Sequence, residues 1–288
     1  MSLEPLVSQM DDLARWTWGA LELNHDLGMR LGENTLTEFH LLSIANQMSI
    51  LGLPLQVVPI TQNDERRIGA DFEFWLRLQT GELFGYSIQA KKVVLGKKHH
   101  TYPQLKERGA TSTVFQYDTL LEHAQAYNTI AMHVFYNGWP LNQGALYHRS
   151  PNALTYGCAA VRSTDVKRLR EGNGKRKDNK TTTYAFRSMP WSQLFRIPPT
   201  GASARGSGGA VGSPTRTGIA VSPTIEDITM LTRWMRRTSR EAETPALSTQ
   251  LPAYVRQALD LPAAGLPNKP ELPRFAVLVN FEELLLER

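Results

Sequence analysis

Two stretches of the chain alternate between apolar and polar residues with a period of two. In Gly69–Leu78, the side chains of Phe72, Phe74, Leu76 and Leu78 share one face of an extended chain. In Leu83–Val93, Phe84, Tyr86, Ile88 and Ala90 do the same. Such alternation predicts two half-buried strands. Thr80-Gly81-Glu82 between them suits a three-residue hairpin loop, with glycine at the left-handed position. Directly opposed residues of an antiparallel pair share a face. The two apolar sets therefore meet if Phe72 lies opposite Ala90 and Phe74 opposite Ile88. That register sets Asp71 opposite Lys91 and Glu73 opposite Gln89 on the second face.

The other elements follow from similar patterns. An N-terminal helical stretch carries Trp16 and Trp18, and a second helix is expected over about Asn34–Ser49. A strand at Leu55–Thr61 precedes the hairpin. A helix near Tyr117–Asn128 and a strand at Ile130–Gly138 come after it. A strand at Ala153–Val161, a helix at Asp165–Arg170 and a late strand in TTTYAFRS are also expected. Residues 198–223 are so rich in Gly, Pro, Ser and Thr that they read as a flexible linker. This divides the chain into a main domain at 1–197, a linker at 198–223 and a C-terminal extension at 224–288. The extension is expected to hold a helix over Thr224–Arg240 and a final strand in RFAVLVNF. The order of elements implies a mixed α/β (α+β) sheet flanked by helices.

In the second helix, Glu38 begins a stripe with Leu41, Leu42 and Ala45. An acid on a buried stripe needs a cation or another partner. Thr35 and Glu38 also fit a capping box, in which Glu38 bonds only backbone. Both readings stand at this level. Glu33 reads as a charge just outside the helix, favourable at its positive end.

Composition narrows the classes. Of 288 residues, 41% are hydrophobic and 20% charged, which suits a packed core. No apolar run approaches the roughly 20 residues of a membrane helix, and the N-terminus lacks a signal-peptide pattern. A cytoplasmic protein is the expectation. The lone Cys158, in an apolar run, excludes an internal disulfide and reads as a small core residue. Trp191 is expected to anchor the core. The net charge is +5, and basic residues cluster at Lys91, Lys92, Lys97 and Lys98 and again at Lys175, Arg176 and Lys177. Such clusters suit a polyanion or a plain solvated surface.

A helix bearing Glu38, then Gly69-Ala70-Asp71, then Gln89-Ala90-Lys91, resembles the PD-(D/E)xK nuclease superfamily. The glutamine in the third motif resembles its Mrr-like variant. The resemblance covers about residues 33–138 and implies the restriction-endonuclease-like αβββαβ core. It implies a metal-dependent nuclease, in particular an endodeoxyribonuclease of restriction or anti-phage defence. Asp71, Gln89, Lys91 and Glu38 would be catalytic. Asp71, Glu38, Glu73 and Gln89 would hold Mg²⁺ or Mn²⁺. Lys92, Lys97, Lys98, Gln116, Lys175, Arg176 and Lys177 would contact nucleic acid, DNA before RNA. The departure is Gln89, where most relatives carry an acid. That leaves a second reading open, a non-catalytic nucleic-acid-binding or scaffold module. A homodimer or an activating partner protein that completes the site is a third.

Overall fold

A computed structural model describes residues 3–51, 55–59, 68–77, 83–96, 99–106, 114–140, 152–172, 179–196 and 275–280. The fold is α+β, with a mixed sheet between helices. Helix α1 spans Glu4–Asp26, with proline in its first turn and an acid at its start, both favourable there. It buries Leu6, Met10, Leu13, Trp18 and Leu21, spaced as one helical face. Helix α2 spans Glu33–Ile50, and strands β1, β2 and β3 follow at Leu55–Pro59, Phe72–Arg77 and Leu83–Lys92. Helix α3 (Gln116–Tyr127) ends on Asn128, at φ 55°, and β4 (Thr129–Tyr136) starts immediately after it. Asparagine tolerates that left-handed cap, and its N–H closes the helix on the Ala124 carbonyl. Strand β5 (Cys158–Arg162) runs straight into α4 (Ser163–Glu171). A short helix α5 (Thr181–Ala185), β6 (Met189–Pro190) and β7 (Phe275–Asn280) complete the described elements.

The seven strands form one sheet in the order β1-β7-β2-β3-β4-β5-β6. Strands β2 and β3 are antiparallel, β3 and β4 parallel, and β4 and β5 antiparallel. The strand expected from RFAVLVNF is β7, and it lies inside the sheet, antiparallel to β1 and parallel to β2. The expected C-terminal extension thus contributes a strand to the main sheet. The linker at 198–223 and the helix at 224–240 lie outside the described residues.

The two faces of the sheet differ. Phe72, Phe74, Leu76, Phe84, Tyr86, Ile88 and Ala90 join Met132 and Val134 in one core with α1 and α2, as the alternation requires. Cys158 is buried in that core, and Trp191 anchors it by donating from Nε1 to the Met10 carbonyl at 2.7 Å. On the opposite face a small cluster of Ala70, Leu120, Ala124 and Ala131 seats α3.

Three expectations about local structure fail. The strand expected over Ala153–Val161 begins only at Cys158, after a 3-10 turn over Ala153–Gly157. TTTYAFRS is helical over Thr181–Ala185, despite its β-branched run. Thr181 and Tyr184, three apart, are both buried, and the Tyr184 ring packs on Phe135 at 5.4 Å and Tyr102 at 6.0 Å. Tertiary packing here overrides propensity. In α2 the buried set is Leu36, Thr37, His40, Leu41, Ile44 and Met48, so the stripe is rotated from the one expected. His40 sits in it because its Nε2 pairs with Thr17 Oγ1 at 2.7 Å and its ring packs against Trp191 and Tyr136. The remaining apolar residues of α2 include exposed Phe39, Leu42 and Ile50, so periodicity alone left the phase ambiguous.

Candidate active site

The apolar faces of the hairpin meet as expected, but the strands sit two residues from the register read from the sequence. Phe72 pairs with Ile88, Glu73 with Ser87 and Trp75 with Gly85. A two-residue slide preserves which residues share a face, so alternation cannot detect it. Bulk across the strands can. A Cβ at position 85 would lie 2.9 Å from Trp75 Cζ3 and 2.7 Å from Thr129 Cγ2, so only glycine lets the indole lie there. The expected Thr80–Glu82 loop lies outside the described residues.

The slide separates the four polar residues into two groups. Glu73, fully buried, accepts from Trp75 Nε1 at 3.0 Å and Ser87 Oγ at 2.8 Å, and His123 Nε2 lies 2.7 Å from its Oε1. Its oxygens are taken by protein groups, which corrects its expected role as a metal ligand. Asp71 instead comes level with Gln89, one residue past the Phe72–Ile88 pair. Its N–H donates to the Ile88 carbonyl at 2.8 Å, and its Oδ2 accepts from the Ala90 N–H at 2.5 Å. The preceding Gly69 has φ +74°, and a Cβ there would lie 2.8 Å from the Gln116 carbonyl oxygen and from the Leu120 nitrogen. The glycine of Gly69-Ala70-Asp71 is therefore what lets this turn press against the start of α3.

The helix acid at this end is Glu33, not Glu38. Glu38 lies on the exposed side of α2, and neither the α2 stripe nor the capping box uses it. Helix α2 begins at Glu33, with Gly32 as its N-cap and no side-chain cap. Glu33 Oε2 accepts from the Lys92 N–H at 2.7 Å, and Lys91 Nζ lies 3.4 Å from its Oε1. Burial and, after the opposing pull of Lys91, the negative charge of Asp71 hold the Glu33 carboxyl above its ordinary range. Two carboxylates and a lysine thus converge on the end of β3.

Gln89 is almost fully buried and donates from Nε2 to Gln116 Oε1 at 3.1 Å, so Gln116 does reach the site. His133 of β4 pairs in register with Gln89. Its Nδ1 lies 2.8 Å from Ser163 Oγ, while Nε2 is buried with no hydrogen-bond partner among the described residues. Burial first, then the charge of Lys91, push the His133 imidazole down to about 3, so it is neutral. Sequence reasoning read Glu33 only as a charge outside the helix end, whereas it is the first residue of α2, and it missed His123 and His133; the two histidines interrupt otherwise apolar faces, which was the available signal. Lys92 is turned inward: its amine donates to the Leu31 carbonyl, and burial lowers its pKa. Lys97, Lys98, Lys175, Arg176 and Lys177 lie outside the described residues.

Among the described residues no group of three or more His, Cys, Asp and Glu side chains stands together as a metal-ligand set. Asp71 and Glu33 still fit Mg²⁺, which needs only one or two carboxylates and keeps several waters. The raised pKa of Glu33 is a property that a divalent cation beside Asp71 would offset.

A family model described as a family of unknown function, DUF6615, matches residues 6–283. No curated protein matches the chain. No helix among the described residues is long and apolar enough to cross a membrane.

Proposed function

The chain belongs to the DUF6615 family, and from that premise we propose that it is a metal-dependent nuclease hydrolysing phosphodiester bonds. The observation that carries the reading is the gathering of Asp71, Glu33 and Lys91 at one strand end, with Gln89 alongside. The α2-β1-β2-β3-α3-β4 order agrees with the nuclease core that the motifs resemble. Asp71 and Glu33 would hold Mg²⁺ or Mn²⁺, and Gln89 would offer a neutral amide oxygen. The metal, when bound, neutralises charge on the phosphate and acidifies a water. Lys91 offsets the charge that grows on the phosphoryl oxygens and orients the attacking water. The Ala90 N–H fixes the Asp71 carboxylate, and the Lys92 N–H fixes that of Glu33, so neither must reorganise during reaction. DNA as substrate and a role in restriction or anti-phage defence rest on the resemblance, and a cytoplasmic setting rests on the composition.

Plasmid nicking with Mg²⁺ or Mn²⁺ tests the proposal. Cleavage by the natural chain should vanish in EDTA and in Lys91→Ala. Metal-independent cutting, or full activity in Lys91→Ala, would refute it. A second reading has its own observation. Asp71, Gln89 and Lys91 are each about 5% exposed or less, and Lys91 and Glu33 can be read as a structural ion pair. Nucleic-acid binding with no metal-dependent cutting favours this non-catalytic module.

A further inference from the structure

A basic cluster lies on the other side of the sheet. The side chains of Gln89 and Lys91 point to the α3 face, as the register and burial of β3 and β4 show. At the β5–β6 edge of the α1 face there is a cavity of about 350 Å³. Arg15 of α1, Arg162 at the end of β5, Arg187 after α5 and Arg196 near the end of the described main chain all line it. One carboxylate, Asp11, shares the lining and accepts from Arg196 Nη2 at 3.1 Å. Arg15 also pairs with Asp12, at 2.6 Å. Among the described residues the lining carries four guanidinium groups and one carboxylate, and Asp12 beside it offsets a further charge, so the balance of these groups is positive.

Phe186 stands in the same lining and is 85% exposed, the most exposed large apolar side chain among the described residues. An aromatic ring held in water beside arginines has an evident use. Guanidinium groups match phosphate oxygens two at a time, and a bare ring offers a face on which any base can stack. A protein partner with acidic side chains would use the arginines but would not need the ring. The cavity is at the small end of ligand-sized sites, so it holds one nucleotide unit and not a duplex.

We propose that this arginine-lined groove binds single-stranded nucleic acid, its phosphates on Arg162, Arg187 and their neighbours and one base stacked on Phe186. This deepens the nuclease reading by assigning it a strand-holding site away from the reaction centre, and it rests on that reading only for the class of ligand. The groove then grips the strand whether or not the centre at Asp71 cuts it.

The test is fluorescence anisotropy with a labelled single-stranded oligonucleotide, as DNA and as RNA, in EDTA so that cutting does not enter. The full chain is compared with Phe186→Ala, Phe186→Trp and Arg187→Gln, both positions being exposed and thus safe for folding. Phe186→Ala should weaken binding about tenfold or more, within the range for loss of one stacked base. Phe186→Trp should restore it. Arg187→Gln should reduce the dependence of log affinity on log salt by about one phosphate contact. Unchanged affinity and salt slope in Phe186→Ala and Arg187→Gln would overturn the proposal. So would competition by a free mononucleotide as strong as that by the oligonucleotide, which would reassign the groove to a small ligand. So would equal binding of an acidic peptide that ignores Phe186→Ala. A chain that nicks plasmid but binds oligonucleotide equally well with and without Phe186 would remove the groove and leave the nuclease standing. Oligonucleotide binding that depends on Phe186, without nicking, would do the reverse.

Discussion

At one end of the polar side of β2 and β3, Glu73 is enclosed by Trp75, Ser87 and His123. At the other end, Asp71 and Glu33 share a corner with Lys91 and the N–H groups of Ala90 and Lys92. Asp71 and Glu73 are only two residues apart, and both are buried. Glu73 is met by side-chain donors fixed on β2, β3 and α3, so its charge is dispersed locally. At the Asp71 end burial, with the charge of Asp71 adding to it, holds Glu33 above its ordinary pKa even beside Lys91. A buried acid with a raised pKa, next to a second carboxylate and a lysine, suits chemistry. An acid saturated by its own hydrogen bonds suits architecture.

The comparison breaks most easily at Glu73. Glu73→Ala should strand the groups that now meet its carboxylate and cost about 3–5 kcal/mol of stability, as loss of a partner from a buried charged network does. Chemical denaturation reads this, and a loss under about 1 kcal/mol would show that the enclosure is not structural. At the other end the loss should fall on rate. Asp71→Asn and Lys91→Ala should each slow metal-dependent cleavage at least ~100-fold. Glu73→Gln, measured per folded molecule, should stay within a few-fold; equal losses in all three would erase the distinction.

Metal should sharpen the contrast without any reaction. With its pKa raised, Glu33 favours folding most when protonated, below the unfolded value of 4.5, and that advantage is lost as pH rises through the folded value. Ionised Glu33 is thus a liability at neutral pH that a cation offsets. Saturating Mg²⁺ should raise Tm at pH 7, by the equivalent of about 2.7 kcal/mol at a hundred times Kd. The rise should shrink in Glu33→Gln and persist in Glu73→Gln. A Mg²⁺ shift identical in all three would place the ion elsewhere.

Acid should act through the buried histidines. Burial pushes His133 and His40 from 6.5 down to about 3. Both are neutral in the folded protein, and the stability this reflects is present above 6.5 and lost as pH falls toward 3. Stepwise thermal melts should show Tm falling across that window, and His133→Gln should flatten the fall. The smallest effect is expected at Glu38. Glu38→Ala should change stability by no more than about 0.5 kcal/mol and leave cleavage unchanged, whereas Glu33→Ala should not.

Much of this was legible before the fold. The boundaries of α2, β2, β3, α3 and β4 lie within a residue or a few of those expected, because each rests on a local period. Asp71, Gln89 and Lys91 were singled out from the same two strands, and Gln116 from its place at the start of α3. Glu38 was preferred to Glu33 because the exposed apolar residues of α2 mimic a stripe one step out of phase.

The sequence by itself determined which residues form the strands and which side chains share a face, since a period of two is a property of consecutive residues. It also determined that an aspartate, a glutamine and a lysine would share the second face. Only the tertiary structure decided how far β2 slides along β3, because a two-residue slide keeps every face and is resolved by the bulk of Trp75 against the space at Gly85. It alone decided that β7 enters between β1 and β2, a pairing of residues more than two hundred positions apart. It alone drew Arg15, Arg162, Arg187 and Arg196 around one cavity. Contacts of that range are made by packing whole elements together, and no local pattern in the chain encodes them.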